Sequence, residues 1–346
     1  MVDYRLIHGD CLDVLPTLAD NSIDLVLTDP PYHRVKGEAW DRQWKTDADY
    51  LDWLGRVLAE FQRVLRPNGS LYLFASPRMA ARVEVKTGEQ FNVLNRIRWT
   101  KDAGWHKKAD EEALRSWLSP WEEIVFAEHY GADNIAKGEA GYVAKCDDLR
   151  GFVFEPLRAY LDGERQRAGV SKEDINEALG FRRLGGMAGR HYFSQSQWQL
   201  PTAEHYTKMR ELFNRNGGEY LRREYEYLRR EYEDLRRPFS VTAAVPYTDV
   251  WDFPTVKAYP GKHVCEKPVA LLSHIIQASS KPGAVVLDAF MGSGASGEAA
   301  VKLGRQYIGI ELDSRWVERA TFRIRGALAR AAVEAAPAVT QTRLAV

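Results

Sequence analysis

The chain has 346 residues, of which 45% are hydrophobic and 28% charged, and its 48 basic side chains balance its 48 acidic ones. This length suits one large domain with an insertion, or two domains, and the composition is that of a soluble globular protein. A net charge of zero argues against a protein that coats nucleic acid by bulk electrostatics, but it leaves a local basic face open.

The sequence predicts neither export, a membrane span nor a metal centre. Its first ten residues lack a basic stretch followed by an apolar one, and no apolar run approaches the ~18 residues that a membrane-spanning helix needs. Cys11, Cys146 and Cys265 are scattered without metal-ligand spacing, which is typical of a reducing compartment. We therefore expect a cytoplasmic protein with no bound metal and no disulfide framework.

The front of the chain alternates between strand and helix patterns. A helical pattern covers residues 48–65 and is closed by Arg66-Pro67-Asn68-Gly69. Apolar runs of strand length occur at residues 4–8, 23–28, 71–75 and 124–127.

The middle of the chain, residues 154–237, has a helical pattern instead. Two short helices are predicted to meet at Gly169, with Ser171 as an N-cap and Gly180 just beyond the second helix. A further helix is predicted over residues 200–213, with Thr202 at its start. A short coiled-coil seam, which we expect to pack on its own chain, is formed by Leu221, Tyr225, Leu228, Tyr232 and Leu235.

The back of the chain returns to the α/β pattern, with strands at 284–290 and 306–312 and a helix at 296–303 between them. Near-continuous apolar strands that alternate with helices indicate a parallel sheet covered on both faces. The expected organisation is a sheet domain in two parts with a helical insert and a flexible tail, with boundaries at residues 1–150, 151–240, 241–330 and 331–346.

A glycine-rich turn follows the strand in "LDAFMGSGASGEAA", residues 287–300. Gly292 and Gly294 allow a tight turn against which a ligand can lie, and Glu311 ends the next strand, where a carboxylate can bind the two hydroxyls of a ribose. With Gly297 the loop also has the spacing of the dinucleotide fingerprint. The pattern therefore predicts either a dinucleotide or a nucleoside with an amino-acid tail, such as S-adenosylmethionine.

Four motifs in one order resemble the amino-methyltransferases of DNA. They are "DPPY" (29–32), "GKHVCEKPVALL" (261–272), "LDAFMGSG" (287–294) and "GIELD" (309–313), and their order resembles that of the β group. The resemblance covers roughly residues 4–130 and 245–328 and departs at Ala295, where such proteins often carry a hydroxyl residue. It implies a Rossmann-like, S-adenosylmethionine-dependent sheet with permuted motif order and an inserted all-helical, helix–turn–helix-like module.

The resemblance also implies a cofactor site. Glu311 would hold the ribose, Asp10 would approach the adenine amino group, and His263, Lys267 and Pro268 would close over the methionine end. The full implied set is Asp10, Cys11, His263, Lys267, Pro268, Asp288, Phe290, Gly292, Ser293, Gly294, Ser296 and Glu311.

The catalytic tetrapeptide implied by the resemblance is Asp29, Pro30, Pro31 and Tyr32. Asp29 and the carbonyl of Pro30 would accept the hydrogens of an exocyclic amine that becomes positively charged, and the prolines hold both acceptors in place. Tyr32 would stack on a base flipped out of the duplex. Asp rather than Ser before Pro-Pro-Tyr favours N6 of adenine; N4 of cytosine, a nicotinamide-dependent oxidoreductase and a non-catalytic DNA-binding regulator stay open.

Double-stranded DNA is the expected partner, and the resemblance implies a homodimer. The sequence does not reveal whether a partner restriction endonuclease exists or which DNA sequence is recognised. In the loop at 33–44, Arg34 and Trp40 would clamp the extruded base, or Trp40 and Trp44 would merely pack the loop down. The other expected DNA contacts are Lys101, His106 and Lys107 in one loop, and Arg182, Arg183, Arg190, His191 and Gln195 in the helical insert.

Overall fold

The protein is described by a computed structural model over residues 3–35, 37–101, 112, 114–128, 153–194, 198–241 and 248–335. The chain divides into two compact units, the first formed by residues 1–127 and 238–346 and the second by residues 128–237. His106, Lys107 and Gln195, three of the expected DNA contacts, lie outside the described residues. None of the helices in the described ranges combines the length and apolarity needed to cross a bilayer.

The first unit is built on an eight-stranded sheet in the order β1-β8-β7-β2-β3-β5-β4-β6. Its pairs β1/β8, β8/β7, β7/β2, β2/β3 and β4/β6 are parallel. The strands are β1 (Tyr4–His8), β2 (Ile23–Thr28), β3 (Leu65–Ala75), β4 (Asn92–Thr100), β5 (Trp121–Glu128), β6 (Val250–Asp252), β7 (Val285–Asp288) and β8 (Gln306–Glu311).

Helices cover both faces of this sheet. On β3, Leu71 and Leu73 join a core with the first three helices, whereas Tyr72 and Phe74 join a second core with the last three. Period-two alternation into two cores confirms the α/β fold with a doubly covered sheet. The helices are α1 (Cys11–Val14), α2 (Asp47–Val64) and α3 (Ala80–Gly88), followed beyond the second unit by α9 (Val269–Ser279), α10 (Ala295–Lys302) and α11 (Ser314–Ala335).

Helix α2 illustrates how the sequence sets these elements. Thr46 accepts a hydrogen bond from the backbone of Asp49, whose carboxylate binds back to the Thr46 N–H, so the helix begins with a capping box. Buried residues then recur at helical spacing from Tyr50 to Val64. The predicted helix at 48–65 is confirmed within one residue at each end.

The predicted turn at 66–69 needs correction, because those residues belong to β3. Ile23 pairs with Leu65 and Leu25 pairs with Ser70, so an advance of two residues along β2 corresponds to an advance of five residues along β3. The Pro-Asn-Gly segment is thus an irregularity within a strand rather than a break before it. Strands β4 and β6 were not predicted; β4 interleaves Asn and Arg with its apolar residues, and β6 has only three residues.

The second unit is helical over its described residues. Its helices are α4 (Glu155–Ala168), α5 (Lys172–Ala178), α6 (Met187–Tyr192), α7 (Ala203–Asn214) and α8 (Tyr225–Leu235). Gly169 and Gly180 adopt φ of 65° and 80°, and Ser171 and Thr202 cap α5 and α7 through their hydroxyls, as the sequence predicts.

The predicted coiled-coil seam is only partly helical. Leu221 has a φ of 51° and precedes α8, which begins at Tyr225. Leu221 and Leu228 are fully buried in the core of this unit, with Tyr225, Tyr232 and Leu235 packed against it. The seam therefore packs within its own unit, but as a loop residue followed by one helix.

At the end of the chain, α11 continues to Ala335, past the point where the sequence places the start of a tail. Residues 336–346 lie outside the described range.

Candidate active site

A cavity lies at the carboxyl ends of the central parallel strands. It has a volume of about 880 Å³ and is lined by residues that directly follow β1, β2 and β7 and by the last residue of β8, among them Asp10, Asp29, Phe290 and Glu311. Parallel strands deliver such residues to one edge of the sheet, which is where ligands bind in open α/β folds. The volume is within the range of small-molecule sites and suits a nucleoside together with a second planar group.

The glycine turn and Glu311 are joined directly. The N–H of Gly292 donates to Glu311 Oε2 at 2.9 Å, and the N–H of Asp313 donates to Oε1 at 2.9 Å. Burial raises the pKa of Glu311, while these backbone N–H groups oppose that rise. Each carboxylate oxygen retains acceptor capacity towards the cavity, which suits a pair of ribose hydroxyls.

Gly292 lies where a ligand can reach the backbone. Its φ is 47°, and an added Cβ would come within 3.3 Å of the His263 ring. His263 lines the cavity and meets the Trp316 ring edge-on, with 4.5 Å between centroids. Burial, and then the charge of Lys267, lowers the pKa of His263 to about 4, so the ring is neutral at pH 7.

Gly294 and Ser293 connect the turn to α11. Gly294 has a φ of 77° and does not line the cavity; an added Cβ would come within 2.7 Å of the Ala320 Cβ on α11. The Ser293 hydroxyl donates to Glu266 at 2.9 Å and accepts from Arg323 at 3.2 Å. These contacts fix the position of the glycine turn against α11.

Asp288 and Ser296 form a buried link beneath the cavity. Asp288 Oδ1 accepts from the Thr28 hydroxyl at 2.8 Å and from the Phe290 N–H at 3.1 Å, and Oδ2 accepts from the Ser296 hydroxyl at 2.5 Å. Burial raises the pKa of Asp288 to about 6, against the lowering effect of these hydrogen bonds. The link joins β2, β7 and the start of α10.

The remaining residues of the implied cofactor site differ in exposure. Asp10 is exposed, lines the cavity and caps α1 through its Oδ1, which accepts from Leu12 N at 2.8 Å. Burial, followed by the Asp10 charge, raises the pKa of the Cys11 thiol to about 12, so this buried thiol is not a nucleophile. Pro268 caps α9 and is absent from the cavity lining.

Asp29 stands at the corner where β2 ends. Its carboxylate binds the ammonium of Lys267 through Oδ2, and its side chain is 19% exposed. Oδ1 is shielded from solvent and has no hydrogen-bond partner among the described residues. Burial raises the pKa of Asp29, while the nearby Lys267 charge lowers it. A buried acceptor without a donor costs free energy, which a ligand N–H can recover.

Two acidic residues that the sequence analysis missed hold Tyr32. The Tyr32 hydroxyl donates to Glu122 Oε2 at 3.0 Å. The Tyr32 N–H donates to Asp41 Oδ1 at 2.8 Å, and Asp41 Oδ2 accepts from Val35 N at 2.6 Å. Asp41 is fully buried, so it fixes the loop after Pro-Pro-Tyr. Glu122 could have been flagged as an acidic residue at the start of an apolar strand; Asp41 left no comparable signal.

Glu122 also binds two lysines. Lys101 forms an ion pair with it, and Lys267 lies 3.3 Å from its Oε2. Burial raises the pKa of this carboxyl, but the charges of Lys267 and Lys101 outweigh burial and hold it at about 2. The Lys101 ammonium, which the sequence assigns to DNA, thus faces a carboxylate beside the cavity.

The two tryptophans of the loop after the tetrapeptide lie in different surroundings. Trp44 is 8% exposed and packs on Trp53 at 4.6 Å between ring centroids, whereas Trp40 is half-buried and lines the cavity. Arg34 does not line the cavity, and its guanidinium donates to the carbonyl of Lys45.

The second unit carries the other basic residues. Arg182 and Arg190 are exposed and make no ion pair within the described part of the chain. Arg183 lies 3.5 Å from Asp174 and 3.8 Å from Glu177, and His191 is half-buried on α6. Arg183 is therefore the arginine of this group whose charge is compensated.

Comparisons with known proteins identify the family. A family model described as "DNA methylase" (N6_N4_Mtase) matches residues 23–322. DNA adenine methyltransferase YhdJ of Escherichia coli (strain K12) is 26% identical over 318 residues, which cover 90% of this chain and 80% of YhdJ. Type II methyltransferase M.HpaI of Haemophilus parainfluenzae is 25% identical over 323 residues, which cover 93% and 74%.

Two solved structures share the fold. PvuII DNA methyltransferase (cytosine-N4-specific) superposes with a TM-score of 0.53 at 13% identity, covering 95% of this chain and 92% of that one. A putative DNA modification methylase of Thermus thermophilus, TTHA0409, gives a TM-score of 0.50 at 19% identity, covering 94% and 96%. Since the family model spans most of the sequence, this chain belongs to the DNA methylase family, whose methyl donor is S-adenosyl-L-methionine.

Proposed function

We propose that this DNA methylase transfers the methyl group of S-adenosyl-L-methionine to the exocyclic N6 amine of a flipped-out adenine in double-stranded DNA. The observation that carries the proposal is the buried, unpartnered Oδ1 of Asp29, a residue that lines the same cavity as Gly292 and Glu311. An acceptor held without a donor next to a nucleoside site is what transfer to an amine requires.

The residues present fit the methyl donor. The two oxygens of Glu311 suit the ribose hydroxyls, the Asp10 carboxylate at the cavity suits an amino group, and the open backbone at Gly292 lets a ligand approach. Phe290 supplies an aromatic wall, held by the ring of Trp53 at 5.7 Å between centroids. When bound, the donor supplies an electrophilic methyl group.

The catalytic role of the chain is to accept hydrogen bonds from the N–H groups of the target amine. The N6 lone pair is delocalised into the ring, so the amine gains positive charge and its hydrogens become more acidic as it reacts. Asp29 Oδ1 accepts one N–H and the Pro30 carbonyl the other, and Pro30 and Pro31 hold both acceptors without further ordering cost.

A base within a duplex cannot reach this cavity and must leave the stack, at a cost of a few kcal/mol. Tyr32 and Trp40 line the cavity and offer aromatic surfaces that offset part of this cost. Lys267 Nζ lies over one face of the Tyr32 ring at 5.3 Å, so we assign base stacking to the other face.

Adenine is favoured over cytosine by two observations. The tetrapeptide begins with Asp rather than Ser, and YhdJ, at 26% identity, is an adenine methyltransferase. N4 of cytosine stays the competing target, because its amine needs the same two acceptors.

Mass spectrometry of nucleosides from DNA treated with the purified protein tests the proposal. We expect N6-methyladenine, and we expect Asp29→Ala to lower the methylation rate by at least about 100-fold while cofactor binding persists. N4-methylcytosine as the sole product would overturn the choice of base, and full activity of Asp29→Ala would overturn the assigned site.

We further propose that the helical segment of residues 151–240 recognises the DNA target. Asn176 supports this: its side chain donates to the Arg183 carbonyl at 3.1 Å and accepts from Ala188 N at 3.0 Å, which fixes α6 relative to α5. An added Cβ at Gly186 would meet the Asn176 side chain at 2.5 Å, so the connection is closely packed. The two helices thus form a rigid helix–turn–helix-like pair.

The outer surface of this pair suits a nucleic acid. Arg182 and Arg190 supply charge for phosphates, and Leu184 and Met187, 78% and 54% exposed, supply apolar contacts for base edges or steps. From the resemblance we also retain a homodimer in solution, which sedimentation velocity tests.

A further inference from the structure

We propose that Lys267 and Glu122 are positioning residues of the methyl-transfer site: Lys267 occupies one oxygen of Asp29 so that only the other faces the target amine, and Glu122 holds both Lys267 and Tyr32. This inference rests on the proposed role of Asp29 as the acceptor. It replaces the expectation that Lys267 closes over the methionine end of the cofactor.

The Lys267 ammonium contacts three groups of this chain. Its side chain is 7% exposed, and its nitrogen binds Asp29 Oδ2, lies 3.3 Å from Glu122 Oε2 and donates to the Cys265 carbonyl at 3.4 Å. Two of its three N–H donors thus form hydrogen bonds, and Glu122 is a further ion-pair partner. A cofactor carboxylate would compete with these three groups for Lys267.

Glu122 connects the two halves of the tetrapeptide. Its Oε2 accepts from the Tyr32 hydroxyl and faces Lys267, while Oε1 binds Lys101. The side chain therefore relates the position of the Tyr32 ring to that of the Asp29 carboxylate. A carboxylate with three such partners has little freedom to move.

The charges of this cluster balance. Asp29 and Glu122 are opposed by Lys267 and Lys101, and each is at least partly shielded from solvent. Removing one member leaves an uncompensated charge on its partners. Although burial lowers the pKa of Lys267, the two carboxylates outweigh it and raise that pKa, so the cluster keeps its cation.

The contact with Lys267 determines which oxygen of Asp29 is left to accept a hydrogen bond. With Oδ2 occupied, Asp29 presents a single acceptor in one direction, and the charge of Lys267 opposes the rise that burial gives to the pKa of this carboxyl. The ionisable groups that face Asp29 or its direct partners are Lys267 and Cys265 from the segment before α9, Glu122 from β5, Lys101 after β4, Tyr32 from its own loop, Asp288 from β7 and Tyr50 from α2.

Two variants with opposite electrostatic effects test the inference. Lys267→Met removes the cation beside Asp29, so the acid limb of the kcat/KM profile should move to higher pH. Glu122→Gln removes an anion that raises the pKa of Asp29, so the limb should move to lower pH. A merely structural defect would not shift the limb in opposite directions.

The second measurement is cofactor affinity by calorimetry. We expect Lys267→Met to lower kcat about 100-fold while the Kd for S-adenosyl-L-methionine changes by less than about threefold. Lys86→Met, which loses an ion pair to Glu89 away from the cavity, is the matched control and should leave both quantities unchanged.

A tenfold weaker cofactor affinity with kcat retained at saturating cofactor would overturn the inference and restore Lys267 to the methionine end. If Lys267→Met does not fold, Glu122→Gln decides alone: a limb that does not move to lower pH overturns the inference. If Asp29→Ala is inactive and the acid limb moves in neither Lys267→Met nor Glu122→Gln, the inference fails while the proposed function stands. If Asp29→Ala keeps full activity, the proposed function itself fails.

Discussion

Trp40 and Trp44 lie four residues apart after the tetrapeptide, yet their surroundings assign them different tasks. Trp44 lies in an aromatic group with Tyr50 and Trp53, at 5.0 and 4.6 Å between ring centroids, and belongs to the core on the α2 face of the sheet. Trp40 lies in a short 3₁₀ turn at the cavity. Trp44 therefore packs the loop down, as one interpretation predicts, whereas the clamp role of Trp40, which lines the cavity, stays a prediction.

Truncating each tryptophan should separate these tasks. We expect Trp40→Ala to reduce the fluorescence gain of a base analogue at the target position and to cost less than about 1 kcal/mol in unfolding free energy. Trp44→Ala, the matched variant, should cost about 3–5 kcal/mol because it removes a buried ring. Unchanged base extrusion in Trp40→Ala would remove Trp40 from the clamp.

At the scale of elements, one glycine of the turn between β7 and α10 lines the cavity and another packs against a helix. Gly292 faces the cavity and binds Glu311, whereas Gly294 faces away from the cavity and meets α11. Both have positive φ, so both conformations favour glycine. The spacing of the motif is therefore set partly by helix packing, which a sequence motif cannot distinguish from ligand contact.

Gly294→Ala should consequently destabilise the fold. Its positive φ costs about 1 kcal/mol for Ala, and the approach of its Cβ to Ala320 adds about 1–3 kcal/mol. Gly283→Ala is the control, because Gly283 has a φ of 81° with no neighbouring atom within 4 Å and so isolates the backbone cost. Urea unfolding of both variants measures the difference in their loss of unfolding free energy. An equal loss in the two variants would mean that α11 moves to accommodate the added Cβ at no cost in stability.

The elements that the sequence predicts well are those with a local signal. The helical pattern of α2 and the apolar run of β2 are local, so the positions of these elements are predicted within a residue. Glu122, by contrast, is separated from Tyr32 by 90 residues, and Lys267 from Asp29 by 238. Motifs indicate the residue types at the cavity, but only the folded chain determines which carboxylate meets which ammonium.

For the whole molecule, zero net charge places the burden of DNA attraction on local surfaces. In the second unit, many arginines are compensated by nearby acids, as Arg158 is by Glu155 and Arg165 by Asp162. Arg182 and Arg190 have no such partner among the described residues. An affinity that depends on few uncompensated charges should have a shallow dependence on salt.

Fluorescence anisotropy of a DNA duplex across a salt series measures that dependence. Each phosphate contact contributes about 0.9 to the slope of log K against log salt, so the double variant R182A/R190A should lower the slope by about two. R183A is the matched control: its guanidinium already faces Asp174 and Glu177, and its loss should change the slope by less than about 0.5. An unchanged slope in R182A/R190A would remove this surface of the second unit from DNA binding. A slope change of about 0.9 in R183A would show that its ion pairs open on the DNA.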